Sequence, residues 1–94
     1  MNEGTAVVVT TKHRGVFFGL VATVEPGTVE LTDARGCVYW SAETKGVVGL
    51  AANGPAKGSR VSPPAPQITL YGVTAIMQCT PRAVIAWERG PWSG

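Results

Sequence analysis

The chain has 94 residues, with eight Lys and Arg against six Asp and Glu, giving a net charge of +2. A chain of that length is expected to form a single domain over residues 1–94 with a modest core. The basic residues are spread along the whole chain, which excludes the clustered footprint of a duplex nucleic-acid binder, and a 45% hydrophobic content excludes a disordered chain.

Thr5 to Thr11, centred on Ala6-Val7-Val8-Val9, is a β-branched run that predicts a first strand. A polar break through His13 and Arg14 separates it from Val16–Val24, a second strand bent at Gly19. Glu25-Pro26-Gly27 is a turn, and Thr28–Thr32 is a third strand. Asp33-Ala34-Arg35-Gly36 has the composition of a hairpin turn. Cys37 to Trp40 then reads as the returning strand, with Val38 and Trp40 on one face and Cys37 and Tyr39 on the other. Short sequential strands joined by tight turns favour an antiparallel meander.

After Trp40 the pattern changes. Ser41 to Thr44 can cap a short helix, and Thr44 to Ala52 is equally compatible with a helical turn or a strand because Gly46 and Gly49 lower its helix score. Asn53 to Ser59 is a loop, and Arg60 to Pro66, with Pro63-Pro64 and Pro66, is an extended segment excluded from a central strand. Gln67 to Met77 predicts a long strand with a bulge or bend at Gly72. Thr80-Pro81 opens a short helix through Arg89 that turns Ala83, Val84 and Trp87 toward the sheet, and Gly90-Pro91 ends it before a short 92–94 tail. The fold class expected is mostly β, a small antiparallel sheet or partly closed barrel with one short C-terminal helix.

Cys37 and Cys79 both lie in apolar stretches and read as buried free thiols. One His and two distant Cys cannot supply a metal site of ordinary spacing, and no cofactor motif is present. No apolar run is long enough to span a membrane, and Met1-Asn2-Glu3-Gly4 lacks the start of a signal peptide, so a cytoplasmic protein is expected.

Arg35 is the first candidate for binding chemistry, because a guanidinium fork can grip a phosphate or carboxylate. Its competing role is a solvated turn residue beside Asp33. Tyr39 and Trp40 can stack on a nucleobase, or pack in the core. Adjacent strand residues face opposite sides, so one of the two rings needs cover from outside its own core, which favours a ligand or a homo-oligomer. Lys57 and Arg60, with Gly54 and Gly58 between Asn53 and Arg60, can close over an anion. No carboxylate pair, Ser-His-Asp set or Cys-His set assembles, so no catalytic residue and no enzyme is expected.

Leu31, Ala34, Arg35, Tyr39 and Trp40, followed by Cys79, Thr80 and Ala83, resemble a Leu-x-x-Ala-Arg-x-x-x-Tyr-Trp core and Cys-Thr-x-x-Ala ending found in a group of short uncharacterised phage and prophage proteins. The likeness covers about two-thirds of the chain and departs at the Pro-rich stretch from Gly54 to Pro66. Small phage proteins of this size include inhibitors that sequester nucleotide signals of bacterial immunity. The resemblance therefore implies a phage binding protein that sequesters a small anionic ligand, such as a nucleotide, at a subunit interface. The alternatives are an inhibitor that binds a host protein through an exposed aromatic surface, and a structural phage subunit.

Overall fold

The computed structural model describes residues 2–12, 15–40 and 42–89. The His13-Arg14 break, Ser41 as a cap, and the Gly90-Pro91 stop with its tail lie outside the described residues. Six strands, β1 (Ala6–Thr11), β2 (Val16–Glu25), β3 (Thr28–Tyr39), β4 (Arg60–Val61), β5 (Ala65–Tyr71) and β6 (Val73–Gln78), form one antiparallel sheet. Two helices accompany it, α1 (Gly46–Ala52) and α2 (Pro81–Arg89), with a short 3-10 turn at Ala42–Thr44 before α1. The fold is mostly β as the sequence implies. The sheet is not closed into a barrel, and α1 adds a second helix to the C-terminal one expected.

β3 organises the sheet. It pairs with β2 along one side, and with β5 and then β4 along the other. The expected long strand from Gln67 to Met77 is realised as β5 and β6, which pair with β3 and β1 respectively. The chain bends between them at Gly72, whose φ of +66° suits glycine, and the Lys12 N–H donates to the Gly72 carbonyl at 2.9 Å.

The largest departure from expectation lies at Asp33–Gly36, which is no turn. β3 runs straight through it. Thr32 pairs with Leu20 and Arg35 with Phe18, so three steps on β3 oppose two on β2. The extra residue is a bulge, and Asp33 carries it at φ +49°. Turns and bulges both recruit residues that tolerate left-handed backbone, so the same composition serves either.

The bulge reverses which face each residue of β3 presents. Before it, Val29 and Leu31 pack with Val7, Val9, Val21 and Leu70 in one core. After it, Ala34 joins that core, while Cys37 falls on the opposite side with Val8, Phe18, Leu50 and Trp87. Val7, Val8 and Val9 are all fully buried because the two cores lie on opposite faces of β1. Burying one such side chain stabilises the fold by about 1.5–3 kcal/mol.

β4 and β5 lie along one edge of β3, interrupted at Ser62-Pro63-Pro64 opposite Arg35-Gly36, just past the bulge. Proline lacks the N–H that a ladder needs. Ser62 bridges the gap instead: its N–H donates to the Gly36 carbonyl, and its Oγ accepts from the Gly36 N–H, both at 2.8 Å.

At the far end, Thr80 caps α2 as its sequence predicts, its Oγ1 accepting from the Ala83 N–H at 3.1 Å. The same hydroxyl donates to the Ala52 carbonyl at 2.7 Å, which ties α2 to the end of α1. Trp87 is fully buried; its ring stacks on Phe18 at 5.1 Å, and its Nε1–H donates to the Leu50 carbonyl at 2.9 Å.

Candidate functional site, a cleft beside Arg35

Arg35 emerges from β3 on the helix side because the Asp33 bulge turned it there. It is 5% exposed. Its Nε–H donates to the Ser62 carbonyl at 2.9 Å, and its Nη1 donates to the Trp87 carbonyl and, at 3.1 Å, to the Glu88 carbonyl. Carbonyls 87 and 88 belong to the last turn of α2, the part of a helix whose carbonyls lack partners within it. A cation there also matches the negative end of the helix dipole. The fork thus fastens β3, the Ser62 bridge and α2 together. Burial pulls the guanidinium below its ordinary pKa and the nearby Glu88 carboxylate acts in the other direction; the group stays cationic.

A cleft of about 490 Å³ opens beside this clamp. Phe18, Leu20, Val84, Pro63 and Pro64 give it apolar walls, and Arg35, Asp33 and Glu88 supply its charged groups. Asp33 and Glu88 are exposed positions, whereas Arg35 is buried. The Pro63-Pro64 wall carries no backbone donor. The cleft is therefore mostly apolar, poor in free donors, and lined by two carboxylates against one cation already engaged with main-chain oxygen.

The five residues singled out from sequence do not share one site. Arg35 lines the cleft. Tyr39, 55% exposed, pairs with Arg60 across the β3–β4 ladder and lines a shallow groove with Val38, Gly58 and Arg60. Trp40 lines a different groove, with Gly15, Phe17, Gly36 and Val38, and packs against the helix-side core. Lys57 is exposed in the loop and lines none of these three. The strict alternation expected through Trp40 fails because β3 ends at Tyr39. Val38 is 81% exposed while Trp40 is half-buried, so the two do not share an environment.

Other lining residues escaped the sequence reading. Leu20, Val84 and Glu88 carry no local mark of a site. Pro63-Pro64 did carry one: a pair that cannot join a ladder leaves an opening wherever the neighbouring strand continues.

Both cysteines are buried free thiols, as composition implied. Burial pushes Cys37 up and pushes Cys79 up to about 12, which leaves them protonated and weakly nucleophilic near neutrality. Among the described residues no group of His, Cys, Asp and Glu is arranged to hold a metal ion, and no helix is long and apolar enough to cross a membrane.

These features define a small antiparallel β domain with two supporting helices and a clamped apolar cleft. The chain belongs to the family described as a domain of unknown function, DUF6948, whose model matches residues 4–87. The match takes in every strand, Arg35 and the part of α2 up to Trp87. No curated protein and no solved structure matches the chain.

Proposed function

We propose that this chain is a binding protein with no catalytic chemistry of its own, and that its ligand seats in the cleft between the Asp33 bulge and the end of α2. The observation that carries this reading is the coupling of an apolar opening to a rigid frame. The cleft has the size and apolar lining of a ligand pocket, and the Arg35 clamp fixes two of its walls against each other. A pocket formed beforehand binds with less ordering cost than one built around its ligand.

The resemblance of Leu31, Ala34, Arg35, Tyr39 and Trp40 to a core of short phage and prophage proteins supports a setting in which a phage-borne chain binds a host component. Of the two kinds of component, a host protein suits this cleft better than a nucleotide signal. A phosphate would approach Asp33 and Glu88, and the guanidinium it needs already donates to Ser62, Trp87 and Glu88.

A fragment screen followed by amide chemical shifts on the labelled full chain tests the reading. Fragments are expected to perturb Leu20, Asp33, Val84 and Glu88 first. Perturbations confined to Val38, Tyr39 and Arg60 would place the binding surface elsewhere and end the cleft reading.

A further inference from the structure

We infer that the cleft takes a Lys or Arg side chain from an extended segment of a partner protein, flanked by apolar residues. The inference rests on the cleft being the ligand seat and adds the chemistry of the occupant. Asp33 lies on the bulge and Glu88 on the last turn of α2, and both line the cleft with exposed carboxylates. The one cation among them, Arg35, donates to the carbonyls of Ser62, Trp87 and Glu88. Phe18, Leu20 and Val84 supply apolar surface, and Pro63-Pro64 present a wall without N–H donors. An anion entering here would find little to donate to it and two like charges. A basic side chain finds the reverse: its aliphatic stem lies on apolar walls and its charged head meets carboxylates. A cleft of about 490 Å³ also exceeds one side chain, leaving apolar surface for the residues beside it. That favours a peptide segment over a small free cation.

The test uses amide shift titrations of the full chain with acetyl-Leu-Arg-Leu-amide. The comparison probes carry Glu or norleucine in place of Arg, with agmatine as the small cation and pyrophosphate as the anion. The Arg peptide should saturate the shifts of Leu20, Asp33, Val84 and Glu88, bind several-fold more tightly than agmatine or the norleucine peptide, and weaken with added salt. Asp33→Asn and Glu88→Gln should each lower its affinity several-fold while leaving the melting temperature near that of the parent, since Asn also tolerates the left-handed backbone at 33. Equal binding of the Glu peptide, cleft shifts by pyrophosphate, equal binding of agmatine, or no saturable response to the Arg peptide would each overturn the inference. The first three would leave the cleft standing as a ligand seat; shifts moving instead to Val38, Tyr39 and Arg60 would remove the seat itself.

Discussion

The Arg35 guanidinium donates to the Trp87 main-chain carbonyl, joining the middle of β3 to the last turn of α2 across 52 residues of sequence. Trp87 is held on its other side by the stack on Phe18 and by its own bond to Leu50. Phe18 in turn pairs with Arg35 across the β2–β3 ladder. Arg35, Trp87 and Phe18 close a circuit in which each fixes the position of the next, Leu50 anchors it through Trp87, and the cleft opens beside it.

The bulge is the device that aims Arg35, so the stability of the fold should be sensitive to the backbone preference of residue 33 and insensitive to its charge. Asp33→Val should destabilise by about 1–2 kcal/mol, since a β-branched residue at positive φ is strained. Asp33→Gly should cost less, within a few tenths of a kcal/mol in either direction, because glycine adopts that conformation freely. Urea unfolding of the two variants, with m-values compared, checks the order. Equal losses would show that the side chain, and not the φ of +49°, holds the bulge.

Trp87→Phe keeps most of the ring stack but removes the Nε1–H. The Leu50 carbonyl then loses a buried donor, and the fold should lose about 1–3 kcal/mol with a small further cost for the cavity. Calorimetric melting measures this directly. A change below the error of the measurement would mean that water replaces the indole donor.

How much of this was legible in the sequence depends on how local each cause is. β1 follows from its valines, α2 from Thr80-Pro81, and the bend at Gly72 from its glycine, because the deciding residues lie inside or next to the element; the split there into β5 and β6, which pair with different strands, was not legible. α1 was ambiguous because Gly49 is poor for a helix by propensity, yet a Cβ there would collide with the Thr44 carbonyl, so packing demands glycine. The bulge at Asp33 was hidden by a composition it shares with turns. Burial of Arg35 was beyond reach, because its acceptors lie 27, 52 and 53 residues away. The cleft inherits that difficulty, as its walls come from β2, β3, the Pro63-Pro64 segment and α2.

Stability should fall at alkaline pH through Cys79. Its folded pKa stands at about 12 against an ordinary 9.0, because burial disfavours the thiolate. Below pH 9 the thiol is protonated in both states and its burial carries no penalty. Between pH 9 and about 12 the unfolded chain loses the proton first, so it binds fewer protons than the folded chain and the stability falls as pH rises. Cys79→Ala should flatten the fall across that window while lowering stability at neutral pH by opening a small cavity. Urea midpoints at several pH values for parent and variant give the comparison; parallel curves would contradict the assignment.

The central claim is that Arg35 belongs to the frame of the cleft and is not the group that grips the ligand. Urea unfolding of Arg35→Gln tests it most directly. Hydrogen bonds from a charged donor contribute about 1.5–3 kcal/mol each, and glutamine cannot reach three carbonyls from one fork, so a loss of about 2–4 kcal/mol is expected. A variant as stable as the parent that no longer binds any cleft ligand would contradict the account and return Arg35 to the role of ligand contact.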